Sequence, residues 1–360
     1  MMTHSKRYNR QIALPEIGLS GQRKLANAKV LVIGAGGLGC PVLQNLAGAG
    51  VGCIGIVDGD NVEITNLHRQ FLFNHGDLGK NKAETAATAV LRQNAEISVV
   101  SYPEYFSESN AFGIVSDYHI VVDCTDNIAA RYLINDISIV KGIPMVYASI
   151  HKFEGQLSVL NFNGGPSYRC LFPENETPQV NANCEDLGVL GILPNTIGVL
   201  QAAEVLKIIL GIGTVLKGVL FLYDGLKNET QTVRFQKNDD EIEKGLRNGH
   251  AILNYNSGQL REIDAAEFIE MSSKNNHLII DIRDDYEQTQ PIISNAQNIS
   301  LDQLENYLEN TAKHDKIILF CKYGNTSLLA ANYLLKNGYT NVSHLKGGIE
   351  SLNQDQHDHR

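Results

Sequence analysis

Cys321 opens the run Cys321-Lys-Tyr-Gly324-Asn-Thr-Ser327, set between an apolar strand-like stretch, Lys316–Phe320, and a helical pattern, Leu328–Lys336. A single cysteine at a strand-to-helix turn has backbone N–H groups and a helix N-terminus aimed at its sulfur. That arrangement stabilises a thiolate or persulfide anion. Far upstream, Val30–Ile33 runs into Gly34-Ala-Gly36-Gly37-Leu-Gly39. Strand, glycine turn and helix in that order let a phosphate approach the helix N-terminus closely. Asp58 closes the next strand, about 20 residues on, where an acid holds a ribose hydroxyl. A phosphate cradle and a sulfur cradle on one chain point to nucleotide activation followed by sulfur transfer. The glycine turn alone would equally suit a nicotinamide-dependent oxidoreductase with a fused sulfurtransferase.

Further runs separate these readings. They are Arg7-Tyr8-Asn9-Arg10-Gln11, Asp58-Gly-Asp60-Asn-Val-Glu-Ile-Thr-Asn66-Leu-His-Arg69-Gln70, Gly79-Lys80-Asn-Lys82-Ala-Glu84 and Asp123-Cys-Thr-Asp126-Asn127. In this order, from Lys6 to Phe235, they resemble the ubiquitin-activating superfamily, in particular the MoeB/ThiF-type enzymes that adenylylate sulfur-carrier proteins. The resemblance implies ATP and Mg²⁺ as cofactors. It also implies a substrate, the C-terminal glycine of a ubiquitin-like sulfur carrier of MoaD/ThiS type. Arg69 and Lys82 would hold the triphosphate, Asp126 would bind Mg²⁺, Asp58 would hold the ribose and Asn66 would order the nucleotide. Gly34, Gly36, Gly37, Gly39, Asp60, Gln70 and Asn127 would complete the nucleotide site. Arg10 would reach in from a second subunit of a homodimer. The chemistry asks for such cations, because carboxylate attack on the α-phosphorus brings two anions together. Catalysis is then mostly charge neutralisation and positioning. A non-catalytic carrier-binding scaffold would need none of them.

Two departures from that pattern stand out. Relatives bind a structural zinc through two Cys-x-x-Cys pairs; here the first would read Ser167-Tyr-Arg-Cys170, and the stretch after Phe235 up to the second domain has no cysteine. A tetrahedral site needs four ligands, so zinc is not expected. Cys184 lies where relatives carry a cysteine able to link covalently to the carrier; a bystander thiol is the alternative. Cys40, Cys53 and Cys124 read as small core residues.

The stretch from Gln259 to about Leu352 resembles a rhodanese domain, through Asp281-Ile-Arg283-Asp-Asp-Tyr-Glu287, the Cys321 loop and Leu345-Lys-Gly347-Gly348-Ile. Ser327 stands where a phosphatase loop would carry an arginine, which argues against phosphatase activity. The usual Gly-His-Ile-Pro-Gly stretch is replaced by Pro291-Ile-Ile-Ser-Asn295. Asp281 and Arg283 are expected to shape the fold. The sulfur donor would be a cysteine desulfurase or thiosulfate, and the product a carrier thiocarboxylate.

The elements that must position these residues follow from periodicity. Strand patterns at Lys29–Ile33, Cys53–Asp58, Ile97–Ser101, His119–Asp123 and Pro144–Ala148 alternate with helical patterns such as Gly39–Ala49, Lys80–Gln93 and Ala129–Val140. These are βαβ units with a parallel sheet. Antiparallel strands are expected at Gln156–Phe162, Val219–Tyr223 and Gln231–Phe235, around a helix from about Pro194 to Leu210. The expected architecture is α/β throughout: a Rossmann-like adenylation domain over 1–236, a polar linker at 237–258, a smaller rhodanese-like domain over 259–353 and a tail at 354–360. Its strands are expected near Leu278–Ile282, Ile317–Cys321 and Val342–Leu345. A net charge of −10 argues against nucleic-acid binding and gives no reason for a membrane partner. The apolar stretch Val189–Leu210, interrupted by Pro194 and Asn195, reads as a turn plus a buried or interface helix. With no apolar stretch behind the basic residues of MMTHSKRYNR and no Cys-x-x-Cys pair, a cytoplasmic setting is expected.

Overall fold

The structure, a computed structural model, describes residues 6–174 and 188–256 and, further on, 260–273, 277–283, 293, 295–301, 303–308, 311–312, 315–337, 339 and 341–354. The chain divides into two compact units, Met1–His250 and Ala251–Arg360.

The first unit is built on an eight-stranded sheet of order β3-β2-β1-β4-β5-β6-β7-β8. Strands β1 (Lys29–Ile33), β2 (Cys53–Val57), β3 (Ser98–Tyr102), β4 (Ile120–Asp123) and β5 (Met145–His151) pair in parallel. The inner strands β1, β2 and β4 read as near-continuous apolar runs because helices cover both faces of such a sheet, whereas the edge strand β3 is more polar and less buried. Those helices include α1 (Asn9–Ile12), α2 (Gly18–Asn27), α3 (Gly39–Ala49), α4 (Lys82–Gln93), α5 (Ala111–Val115) and α6 (Ile128–Lys141). Strands β6 (Glu154–Leu160), β7 (Val219–Asp224) and β8 (Glu229–Arg234) extend the sheet antiparallel. Between them come α7 (Tyr168–Leu171) and α8 (Ile192–Leu210).

Helix α8 starts before Pro194 instead of being broken there, because a proline in the first helical turn forfeits no intrahelical hydrogen bond. It is long and apolar enough to cross a membrane by length and composition. Its inner face packs on α3, where a Cβ at Gly198 would lie 2.5 Å from Pro41 and 2.6 Å from the Leu38 carbonyl. Ile192, Val199 and Leu200 on its other face are exposed.

Where the sequence suggests a linker, the structure has a helix, α9 (Asp239–Asn256). Its seat on α6 is made by Gly245 and Gly249, where an added Cβ would fall 2.6 Å from Ile139 and 2.6 Å from Val140. Two glycines one turn apart give a close, flat contact without an apolar stripe, so periodicity does not reveal it.

The second unit has a five-stranded parallel sheet of order β11-β10-β12-β13-β9. Its strands are β9 (Arg261–Ile263), β10 (Leu278–Asp281), β11 (Gln297–Asn298), β12 (Lys316–Phe320) and β13 (Asn341–Leu345). Sequence patterning finds β10, β12 and β13; β9 and β11, three and two residues long, are too short to show a period. Helices α10 (Ala265–Ser272), α11 (Leu304–Leu308), α12 (Asn325–Lys336) and α13 (Ser351–Gln354) complete the unit. Most of the Pro291–Asn295 stretch, the Asp284–Glu287 part of its motif and the tail beyond Gln354 lie outside the described residues.

Candidate functional site

The sheet order reverses between β1 and β4, and the loops leaving the carboxyl ends of β1, β2 and β4 meet there, as in other open α/β sheets that bind ligands. The glycine turn follows β1. Gly34 has φ +95°, and a Cβ on it would meet the Cys124 carbonyl oxygen at 2.6 Å. A Cβ on Gly39 would strike the Gly34 oxygen at 2.0 Å. These two glycines are required by the turn itself. Gly36 is different: its nearest neighbour would be Gln70 Nε2 at 3.7 Å, which leaves room for an incoming group. Gln70 is buried, and its Oε1 has no hydrogen-bond partner among the described residues. Gly37 abuts Pro194 and, at 3.7 Å, the stem of Arg69. Asn195 donates to the Arg69 carbonyl at 3.0 Å, so the start of α8 fixes the backbone that carries Arg69.

Asp58, at the end of β2, accepts the Ala35 N–H at 2.7 Å and the Asp60 N–H at 2.9 Å. Burial pushes its carboxyl above the ordinary value, against the pull of Ala35 and Lys82. Lys82 is the first residue of α4 and only 6 % exposed; its ammonium donates to Asp60 Oδ2 at 2.9 Å. Tyr105 donates to the other oxygen of Asp60 at 2.7 Å. Burial works to raise the Asp60 carboxyl, but these two hydrogen bonds hold it below the usual range. Asn66 is buried and accepts the Glu63 N–H at 3.2 Å, closing the short 3₁₀ turn that leads to Arg69.

Asp126 stands exposed in the loop after β4, whose start touches the glycine turn through Cys124. Asn127 caps α6, accepting the Ala130 N–H at 2.7 Å. Beneath this loop Asp123 is fully buried and accepts from the Thr125 N–H and hydroxyl at 2.9 and 2.7 Å. Arg131, also buried, donates to the Thr125 carbonyl at 3.0 Å and lies 3.8 Å from Asp123. Sequence reasoning misses Arg131 and Tyr105; the signal for Arg131 was its place one turn into the helix that follows Asp126.

Arg10 does not join this constellation within one chain. The segment around it is folded onto its own subunit rather than hanging as an open arm. Gln11 donates to the Ala49 carbonyl at 3.1 Å, and the Tyr8 ring fills the space beside Gly50. Both anchors sit at the C-terminal end of the eleven-residue helix α3, about 16 Å from its glycine-turn end. Arg10 itself is exposed.

In the second unit, Cys321 is the first residue after the central strand β12 and is 3 % exposed. Its sulfur accepts the N–H groups of Gly324 at 3.1 Å and Ser327 at 3.3 Å. Gly324 has φ +87° and α12 begins immediately after it. The Gly347-Gly348 pair buttresses the loop: a Cβ on Gly348 would lie 2.4 Å from the Lys322 oxygen and 2.5 Å from the Cys321 oxygen. Ile349 and Glu350 donate backbone N–H groups to those two carbonyls at 2.9 and 3.2 Å. Asp281 and Arg283 form a buried ion pair, closest at 2.6 Å, with the guanidinium 5.6 Å from the Phe320 ring centroid. They lie against Phe320, the residue before Cys321.

Cys40 and Cys124 are buried, and burial pushes the Cys40 thiol up to about 12; Cys53 is half-buried. Cys170 lies 3.3 Å from the Ser167 hydroxyl and accepts the Asn238 N–H at 3.3 Å. Among the described residues no group of three or more His, Cys, Asp or Glu could hold a metal ion. Cys184 lies outside the described residues.

The ThiF family matches residues 8–244 and the rhodanese-like domain residues 264–355. The chain belongs to the ThiF family. It is 37 % identical to the adenylyltransferase and sulfurtransferase MOCS3 of Drosophila grimshawi, over 96 % of this chain and 83 % of that protein. To the adenylyltransferase and sulfurtransferase UBA4 of Vanderwaltozyma polyspora it is 39 % identical, over 98 % and 89 %. Mouse MOCS3 is 47 % identical over 64 % of this chain, which is 50 % of that protein's length. Escherichia coli MccB with ATP superposes with a TM-score of 0.53 at 26 % identity, covering 60 % of this chain and 66 % of that one. The ThiF match falls on the unit that carries the glycine turn, and the rhodanese match on the unit that carries Cys321.

Proposed function

We propose that this ThiF-family chain is an adenylyltransferase and sulfurtransferase acting on the C-terminal glycine of a ubiquitin-like sulfur carrier. The carboxylate oxygen attacks the α-phosphorus of ATP, the bond to pyrophosphate breaks, and an acyl-adenylate forms. Arg69, whose stem lies on Gly37, and the buried Lys82 would spread the triphosphate charge. Asp58 would hold the ribose. Mg²⁺, held by the exposed Asp126, would neutralise phosphate oxygens. The terminal sulfur of a Cys321 persulfide then attacks the acyl carbon and AMP leaves. Two equivalents of a thiol reductant cleave the remaining S–S bond in successive exchanges, leaving as their disulfide and releasing the thiocarboxylate and the Cys321 thiol.

The observation that carries this reading is the Cys321 cradle, two N–H groups converging on one sulfur, on the same chain as a nucleotide cleft with an open Gly36 and an orphaned Gln70 oxygen. The reading includes a homodimer. The neighbours of Arg10, Tyr8 and Gln11, are tied to the end of α3 remote from the glycine turn, and α8 offers an exposed apolar face at Ile192, Val199 and Leu200 to a second copy. It also includes a cytoplasmic setting, with a cysteine desulfurase or thiosulfate as sulfur donor and molybdenum-cofactor or thiamine biosynthesis as user of the product. Zinc has no part in it: Cys170 is taken up by Ser167 and Asn238, and one zinc per chain surviving dialysis against chelator would overturn that clause.

The deciding experiment is ATP–pyrophosphate exchange with candidate ubiquitin-like carriers, including any that co-purify. Exchange that needs the carrier's terminal glycine supports the proposal. Turnover of a nicotinamide cofactor without carrier-dependent exchange would sink it.

A further inference from the structure

We infer that Tyr105 is a positioning residue of the nucleotide site, acting on Lys82 through Asp60; the inference rests on the adenylylation reading above. Lys82 presents a buried cation, and a buried ammonium needs a partner. In the structure that partner is Asp60, whose two oxygens are divided between two donors. Oδ2 takes the Lys82 ammonium at 2.9 Å and Oδ1 takes the Tyr105 hydroxyl at 2.7 Å. The Asp60 side chain is half exposed, so without a second anchor its carboxylate would be free to rotate toward the cleft. There it would compete with an incoming triphosphate for Lys82 and repel it. Tyr105 holds the carboxylate at the rim and leaves the ammonium the freedom to turn inward.

The anchor is itself built to stay in place. The Tyr105 ring lies against Gly59, where any Cβ would come within 2.8 Å of it. The Tyr105 carbonyl accepts the Asn110 side chain at 2.9 Å, and Asn110 also accepts the Ser107 N–H at 2.9 Å. A ring that is 68 % exposed, yet held by a glycine and a closed loop, is placed for its hydroxyl.

Removing that hydroxyl while keeping the ring tests the idea. Mg-ATP and adenosine binding are measured by calorimetry on the full chain for wild type, Tyr105→Phe, Asp60→Asn and the double variant, with melting temperatures as a folding check. Tyr105→Phe should weaken ATP roughly five- to tenfold, the size expected for a hydrogen bond to a half-exposed charge. Adenosine, which has no phosphates for Lys82, should bind unchanged. In the Asp60→Asn background the further effect of Tyr105→Phe should vanish, as it must if one residue acts through the other. Equal losses for ATP and adenosine would make Tyr105 a nucleoside contact and overturn the inference; additive effects, or wild-type ATP binding by a folded Tyr105→Phe, would do the same. A wild-type chain that binds no ATP would bring down the adenylylation reading itself.

Discussion

Gly348→Ala tests how closely the sulfur site depends on its buttress. Gly348 has φ +64°, and the added Cβ would lie 2.4 Å from the Lys322 oxygen and 2.5 Å from both the Cys321 oxygen and the Gly324 nitrogen. The left-handed conformation costs roughly 1–2 kcal/mol for an L residue. Relieving the contacts to an ordinary 3.4 Å requires about 1 Å of movement between turn and loop. The two cannot slide independently, because Ile349 and Glu350 are hydrogen-bonded to the Cys321 and Lys322 carbonyls. A shift of that size breaks the contacts of Gly324 and Ser327 with the sulfur, now 3.1 and 3.3 Å. A hydrogen bond to a charged group contributes roughly 1.5–3 kcal/mol, so losing one slows sulfur transfer about ten- to hundredfold. Gly347→Ala is the matched control: it has φ +73°, but its Cβ would meet only Ser351, at 3.2 Å. It carries the conformational strain without the clash. The assay is thiosulfate-to-cyanide sulfur transfer with melting temperature and ATP binding monitored. Equal transfer rates in folded Gly347→Ala and Gly348→Ala would refute the reasoning.

Arg69→Ala or Asp126→Ala should abolish carrier adenylylation and leave Cys321 sulfur transfer intact, since the groups fall in different units; loss of both activities in a soluble, folded variant would contradict two separate sites. Mixing Arg10→Ala with Asp126→Ala subunits should restore up to about half the activity per mixed dimer, because one of its two sites regains both groups; no recovery after confirmed subunit exchange would remove Arg10 from the partner's site. Glu262 is held below the ordinary carboxylate value: burial raises it, but the hydrogen bond from Lys346 and the charges of Lys346 and His344 prevail. A depressed carboxylate contributes stability above its unfolded value, about 4.3, and loses it as pH falls through the lower folded value. Glu262→Gln should therefore lower the melting temperature at pH 7 and leave little difference in strong acid, and a gap that persists there would rule out the ionic origin.

The parallel core is legible because β1, β2 and β4 are short apolar runs that end at or next to a glycine or an aspartate, and β1 with its turn is placed to the residue. What escaped was structure made by contact rather than by pattern. Helix α9 seats on α6 through Gly245 and Gly249, and α8 begins two residues ahead of the proline from which the sequence starts it. Strands β9 and β11 exist because they pair with β13 and β10, not because three or two residues carry a period.

The site divides in the same way. Gly34 and Cys321 can be read from sequence because a turn fixes their residue type and local spacing, and Asp58, Arg69, Lys82 and Asp126 stand out by the same local spacing in the role proposed for them. Arg131, Tyr105, Asn195 and Gly348 answer to other groups of the protein: the Thr125 carbonyl, the Asp60 carboxylate, the Arg69 carbonyl and the backbone of the Cys321 loop. The partners of Tyr105, Asn195 and Gly348 lie 45, 126 and about 27 residues away in the chain, and at those separations no local pattern couples the two positions; Arg131, 6 residues from Thr125, carries only the weak signal of its place in the helix. The Arg7–Gln11 run reads from sequence as an open arm, and the structure instead folds it onto α3. Its tether to α3 appears only once Tyr8 is seen against Gly50 and Gln11 against Ala49. The tether fixes Tyr8 and Gln11 at the end of α3 remote from the glycine turn, about 16 Å along the helix, which is why the mixed-subunit experiment is the one that assigns Arg10.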